Sequence, residues 1–543
     1  MKAMNRRNRT RRGAPLRPAA AAAVALAALL CNGLQPAHAA ELSNTDAYQV
    51  RWDNTVKYSL GVRTGTPSDY YLSNPNLNDG DGAFGRGDVI SNRLDLLSEL
   101  DFTLKDRARS GLHVSAAAWY DTVYNRGHDP ITANYNALSV PNDQFTKEAR
   151  RWAGRNAELL DGFVHTSFDL AGHDLSVRLG RHALIWGESL FMAGNGIAAG
   201  MAPIDANKAL AVPGTLAKEV FMPVNQLSAS LRLDQKWSLQ GYYQLEFRET
   251  RYPPVGTFWS PADLVGPGAE TLQLGGGAYF AFDGHRRPDN AKGNYGAAAK
   301  FSDLASDIDV GLYYLRYTEH TPQVYTQFTG PSATGQFGTY FFVYPEKIDI
   351  LGTSLSTKIG DANVAGEISI RRNMPLVSNA QLMDLGLNPS ADANRNPLYA
   401  TGDLVHYQVS TIWVLPRTAA WDGAGITAEI GGHHLYKTTR NEASRDTTKA
   451  KTFTGMSLVF DPTWYQVVSD LDLTVPLSVA YNFSTSPIDP TVAPGVGNVG
   501  IGVKFTYLRA WRGSLIYTKQ LGKDERNGFG DRDNVAFSLA YSF

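Results

Sequence analysis

Over most of this 543-residue chain, apolar and polar positions alternate with a period of two. Val50, Trp52, Val56, Tyr58, Leu60 and Val62 are separated by Arg51, Asp53, Thr55, Lys57, Ser59 and Gly61. Leu94, Leu96, Leu100, Phe102 and Leu104 interleave with Arg93, Asp95, Glu99, Asp101 and Thr103, and Leu471–Phe483 and Val499–Tyr507 repeat the pattern. Successive side chains of a strand point to opposite faces, so each run carries one apolar face and one wet face. Many runs reach ten residues or more, longer than the strands of most soluble sheets. No stretch approaches eighteen consecutive apolar residues, which excludes helical membrane spans.

The connections separate a membrane barrel from a soluble sandwich. About eighteen candidate strands are joined by links that alternate short and long. Asp106–Arg109, Ala171–His173, Asp234–Lys236, Ser302–Ser306 and Gly360–Asp361 read as tight turns. Between them lie long Gly/Pro/Asn/Asp-rich links at about 64–91, 122–157, 186–220, 250–292, 320–346, 373–402, 438–450, 484–496 and 521–532. A sheet in lipid must close, because an open edge leaves backbone N–H and C=O groups unpaired. The expected fold is therefore all-β: a transmembrane antiparallel outer-membrane β-barrel of about 18 strands, with long extracellular loops and short periplasmic turns. Val535, Phe537, Leu539, Tyr541 and Phe543, alternating up to a terminal aromatic, resemble the C-terminal signal that the barrel assembly machinery reads.

The N-terminal segment places this barrel in an export route. Lys2, Arg6, Arg7, Arg9, Arg11, Arg12 and Arg17 precede an apolar run, Ala19–Leu30, and a small-x-small site, Ala37-His38-Ala39. That reads as a signal peptide over 1–39 of the general secretory type, leaving 40–543 as a single barrel domain in the outer membrane of a Gram-negative cell. The single cysteine, Cys31, lies in the segment to be removed and follows Leu30, where a lipid-attachment site needs a small residue. The mature chain then has no disulfide and no thiolate metal site. Of 51 basic residues seven leave with the leader, so 44 stand against 52 acidic ones, a net of −8. No basic stripe suits a nucleic acid.

Motifs for catalysis are missing. There is no Gly-x-Ser-x-Gly elbow, no H-E-x-x-H and no P-loop. His433 and His434 are adjacent on a strand and point apart, so they do not chelate one ion. The acidic stretch Asn76–Asp88 lacks the spacing of a calcium loop. Neither cofactor nor metal is expected. Alternation assigns to the interior Arg178, Gln240, Gln244, Glu246, Arg248, Glu367 and Arg371, with Arg51, Asp53, Lys57, Arg93, Asp95, Glu99, Asp101, Asp472 and Lys504. On the lipid face such charges cost up to ~2–4 kcal/mol each at mid-depth, so they belong to a hydrated lumen. The stretch Gly180–Glu188, running on through Asp205 and Pro213-Gly214-Thr215 to Lys218-Glu219, reads as a long ordered loop. Within it, Trp186 beside Glu188 is a candidate constriction, against an interfacial Trp with a rim carboxylate.

This same region carries a resemblance. GRHALIWGESLFMAGNG, then PID, PG, KE and MPV, then LSASLRL and WSLQGYYQLEF, and finally YPPVGTFWSPAD are similar to the family catalogued as domain of unknown function 1302. The likeness spans essentially the mature chain and is densest over 180–265; Ile185 stands where the family pattern has a polar residue before the Trp. What it implies is an outer-membrane barrel working with outer-membrane lipids around it, a periplasmic lipoprotein-like partner and an inner-membrane exporter, and a hydrophobic or amphiphilic cargo. It implies no catalytic residues. The leading expectation is a channel, passive or partner-coupled. The alternatives are a sealed barrel serving a lipid-trafficking or export system and, third, an outer-membrane lipid hydrolase.

Overall fold

The alternating runs become the staves of one closed sheet in the computed structural model, which describes residues 40–543 except 132–134, 214, 216–219, 290–291 and 304. The expected leader over 1–39, and Lys218 and Glu219, lie outside the described residues. In chain order the strands are β1 (Tyr48–Arg63), β2 (Val89–Leu104), β3 (Gly111–Asp121), β4 (Arg155–Leu170), β5 (His173–His182) and β6 (Val224–Arg232). Next come β7 (Trp237–Gln244), β8 (Tyr295–Asp303), β9 (Ile308–Tyr317), β10 (Ile348–Ile359), β11 (Ala362–Pro375) and β12 (Thr401–Leu415). The last are β13 (Gly423–Arg440), β14 (Thr452–Val468), β15 (Leu471–Thr474 and Leu477–Asn482), β16 (Gly497–Tyr507), β17 (Trp511–Leu521) and β18 (Asn534–Ser542). The two pieces of β15 part at Val475-Pro476, where proline offers no N–H to the ladder. Of the twenty strands joined in this sheet, Ala40–Asn44 is an annex and two are the halves of β15, which leaves a ring of eighteen.

Each strand pairs antiparallel with the next, and β18 closes on β1 from Thr55↔Ser542 to Arg63↔Asn534. At this seam Val62, Leu60, Tyr58 and Val56 oppose Val535, Phe537, Leu539 and Tyr541 on the outer face, while Ser59 opposes Ser538 within. Phe543 exchanges two backbone hydrogen bonds with Asn54, at 2.8 and 2.9 Å. Beyond that point β1 runs on, and Ala40–Asn44 pairs with its free edge from Trp52 to Gln49. The edge that lipid would penalise is thus covered along its length.

The outer face carries an apolar belt, with Leu351, Leu355, Ile368, Val409 and Ile430 all exposed. Aromatic pairs sit near its short-turn border: Trp237–Phe301 at 5.1 Å, Trp421–Phe460 at 5.5 Å and Trp511–Tyr541 at 4.6 Å. Such belts and girdles are what a bilayer selects in a spanning barrel. Eight links of seven residues or fewer lie at one end, and nine of eleven or more lie at the other.

Three of the long links hold structure that alternation did not signal. Residues 245–294, 318–347 and 376–400, read above as loops, supply a second sheet in the order 381–383, 323–328, 336–343, 278–286, 271–275. Its centre is Tyr340–Val343, an apolar run buried on both faces. Tyr340 and Phe342 pack with Phe280 and Tyr344, while Phe341 and Val343 pack with Tyr325 and Tyr399. A strand covered on both sides has no wet face and hence no period of two.

Candidate functional site

The barrel's largest apolar cluster forms inside the ring. Tyr313, Leu315 and Tyr317 of β9, Ile348 and Ile350 of β10, Leu404 of β12 and Leu435 of β13 are fully buried there. What buries them is the 183–223 link, which carries Trp186, Ile197 and Met201 onto that wall. Trp186 is 2 % exposed, with its ring 5.2 Å from Tyr242 and 5.8 Å from Tyr313. It is thus a packing residue of the interior cluster, and presents no free face to an opening. Charged side chains do face inward on β2 and β5, where Arg93 stacks on Trp119 and Arg178 on Phe163, but this wall is apolar and covered.

Polar groups from β11, β12 and β13 pin the same link by its backbone. The Glu367 carboxylate accepts hydrogen bonds from the N–H groups of Glu188, Ser189 and Ile197, the last two at 3.1 and 2.9 Å. The Glu429 carboxylate accepts three successive ones from Leu190, Phe191 and Met192, at 3.2, 2.6 and 2.7 Å. The Arg371 guanidinium donates to the carbonyl oxygens of Gly194, Asn195 and Gly196, at 3.2, 2.5 and 2.8 Å. The Asn195 side-chain oxygen accepts from Nδ1 of both His406 and His433, at 3.0 and 3.2 Å. Gly187 adopts φ +97°, and a side chain there would run into Glu367. Glu367 and Arg371 therefore face inward as alternation requires. Glu429, His406 and His433 from the strands and Asn195 from the link complete the anchor, and only the inward register of the first three hinted at it. His434 points outward, away from His433.

The remaining candidates divide by position. Gln240 lies on the inward face of β7, and Gln244 donates to the Met201 carbonyl at 2.5 Å. Glu246 and Arg248 lie past the end of β7, so the alternation that assigned them to the lumen has already stopped. Glu246 accepts from the backbone and side-chain N–H groups of Asn225, each at 2.9 Å, and Arg248 donates to the Pro223 carbonyl at 2.6 Å. Asp205 caps the short helix Ala206–Ala211 through the Lys208 N–H at 2.8 Å and pairs with Arg251 at 2.6 Å. Arg251 also forks onto Glu158 and stacks on Trp152, 3.9 Å from the ring centre. Below the pinned link lies a cavity of about 330 Å³, lined by Glu188, Asp307, Asp309, Lys358, Asn363 and Ser410. Burial and the neighbouring Glu367 push the Glu188 carboxyl above its usual range, against the pull of Lys300.

A second interlock gathers four long links. Asp81 receives Arg63 at 2.9 Å and Arg532 at 2.7 Å, and Arg63 also reaches Asp531 at 2.6 Å. Both guanidiniums lie over the Phe258 ring, at 5.6 and 5.2 Å. Beside them the Asp79 N–H donates to the Asp263 carboxylate at 3.1 Å, and the Asn136 N–H reaches the Asp79 carboxylate at 3.3 Å. Burial above all, with Asp81 adding to it, pushes Asp263 up to about 7; burial and Asp263 likewise raise Asp79. A carboxyl raised above its unfolded value, roughly 3.9, contributes stability that is complete below that value and is lost as pH rises through about 7. Protection of the 76–84 amides from hydrogen exchange is therefore expected to fall between pH 5 and pH 8.5. In Asp263→Asn the fall should flatten; an equal slope in both proteins would refute the assignment.

Residues 18–543 match the model of a family described as "Protein of unknown function (DUF1302)". No curated protein matches the chain. Among solved structures it is similar to Acinetobacter baumannii OccAB4, at TM-score 0.43 and 7% identity over 92% of this chain and 99% of that one. It is also similar to Pseudomonas aeruginosa OpdK with vanillate, at TM-score 0.43 and 9% identity over 92% and 98%. Salmonella typhi OmpF in complex with daunomycin gives 0.38 and 8% over 92% and 99%.

Proposed function

The chain belongs to the DUF1302 family, and from that premise and the closed ring we propose that it is an outer-membrane channel for small hydrophobic or amphiphilic molecules. One observation carries this reading: the 183–223 link is folded into the barrel and fastened to its inner wall by Glu367, Arg371 and Glu429. An in-folded link narrows a ring of eighteen strands, whose interior is wider than side chains alone occupy. The fastened link covers the apolar wall, and the cavity beside it sets Leu190 and Ile412 next to the carboxylates of Glu188, Asp307 and Asp309. That pairing suits a molecule with an apolar part and a polar or cationic end.

Single-channel recording in planar bilayers tests the reading. The wild-type protein should give discrete steps, and a variant with 187–211 replaced by a short Gly/Ser linker should give larger ones. Silence from both would sink the passive channel. The interlocked links around Asp81 favour a second reading in that event: a sealed barrel serving lipid traffic or export, recovered together with a periplasmic lipoprotein-like protein and an inner-membrane exporter.

A further inference from the structure

On the outside of the barrel, basic groups stand where the apolar belt ends at the long-loop border. Along β11 the outward series Ile368, Ile370 continues to Arg372, which is exposed. On β10 the outward Leu351 gives way to Asp349, and Lys347 follows just outside the strand. Asp349 is occupied by a two-pronged bond from Arg316, at 2.8 Å on each prong. Lys347 and Asn373 both adopt left-handed backbone, φ 60° and 62°, and the Asn373 side chain donates to the carbonyl oxygens of Glu346 and Lys347. The 376–400 link brings in Arg395, and the end of β13 brings in Arg440, held to the Asn394 and Arg395 carbonyls at 3.4 and 3.3 Å.

Lys347, Arg372, Arg395 and Arg440 together line a cleft of about 480 Å³, and Asp403 is the one carboxylate among its lining residues. Among the described residues, Lys347, Arg372 and Arg395 join no salt bridge. The side chains that line it belong to the outer surface, so the cleft serves neither the lumen nor the pinned link. Four cations against one carboxylate, directly above Leu351 and Ile370, are complementary to a ligand with phosphate at its head and acyl chains below. Guanidinium forks fit phosphate oxygens in pairs, and basic pockets at this depth are headgroup sites.

We propose that this cleft binds a phosphorylated lipid of the long-loop leaflet, a phosphoglycolipid of the lipid A kind, with its phosphates among Lys347, Arg372, Arg395 and Arg440. The acyl chains lie on Leu351, Ile370 and their outward neighbours. The inference rests on the barrel spanning a membrane and is independent of whether it conducts.

Native mass spectrometry of the detergent-solubilised protein tests it. Bisphosphorylated lipid A, a phosphatidylcholine and inorganic phosphate are added in separate arms. Lipid A should be retained and the other two should not. The triple variant Lys347→Gln/Arg372→Gln/Arg395→Gln should lose about 100-fold in lipid A affinity, since each surface cation contributes roughly a factor of five toward an anionic headgroup. A matched control, Arg107→Gln/Arg417→Gln/Arg509→Gln, removes three cations from the short-turn end and should bind as the wild type does. Both variants must keep the heat-dependent gel shift of a folded barrel, and neither touches a ring hydrogen bond. Equal retention by the cleft variant, equal loss in the control, retention of phosphatidylcholine as strong as that of lipid A, or displacement of lipid A by equimolar inorganic phosphate would each overturn the proposal.

Discussion

Asp81→Ala is expected to destabilise the interlock of the long links by about 3–5 kcal/mol, the usual cost of stripping one partner from a buried ion pair. Asp81 and Arg63 are fully buried and Arg532 is 2 % exposed. Both cations use this single carboxylate. Arg63 would retain Asp531 and the Phe84 carbonyl, and Arg532 would retain the Phe258 carbonyl, the weak stack on its ring and a longer pair with Asp531 at 3.5 Å. Two guanidiniums would then share the one carboxylate of Asp531 in a dry site, where an uncompensated charge is costly. The ring itself should stand, because its ladders are untouched. The measurement is hydrogen exchange at 79–84 and 257–260, where opening should become roughly 10² to several 10³-fold more frequent while the barrel keeps its gel shift. Unchanged protection would mean that the three charges do not hold these links together.

The second large effect concerns the pinned link. Glu367→Ala/Glu429→Ala removes the acceptors of six backbone N–H groups. Left dry, each would cost ~1–3 kcal/mol, more in sum than the loop gains from packing Ile197 and Met201. The link should therefore leave the wall and hydrate its amides. Two readouts follow. The open-channel current should become noisier and larger than in the wild type. With Cys31 replaced by Ser, a Ser189→Cys probe in the double variant should also react with a water-soluble maleimide at least ~10-fold faster, the factor for 1.4 kcal/mol of opening. Single substitutions should fall between, because the remaining carboxylate still holds three N–H groups. If labelling is as slow in the double variant as in the wild type, the apolar contacts around Trp186 hold the link without help.

How much of this was legible beforehand differs from part to part. Strand positions were legible because a bilayer imposes a period of two on every stave, and Val56, Tyr58, Leu60 and Val62 have no freedom to break it at the seam. Turns and long links were legible because Asp-, Gly- and Pro-rich breaks interrupt that period. The second sheet was hidden. Tyr340–Val343 is covered on both faces, and nothing alternates in a strand without a wet side.

The site was half legible. Register alone turned Glu367, Arg371, Gln240 and Arg178 inward, and it failed for Glu246 and Arg248 once β7 had ended. Register could not tell which inward group meets a loop. Glu367 and the Ile197 amide are 170 residues apart, and Arg63 and Asp531 are 468 apart. Trp186 was read as a candidate constriction because Glu188 stands beside it in the chain, whereas its spatial neighbours are Tyr242 and Tyr313.

The sequence by itself determined the ring, its outward grease, its long-loop end and its closing seam, since each follows from local alternation and from the rule that backbone groups in oil find partners. The tertiary structure alone decided that the 183–223 link turns inward, that Asp81 serves two arginines, and that four cations gather on the outer rim. Those are encounters between residues far apart in the chain, and no local period records which of them closure of the ring will bring together.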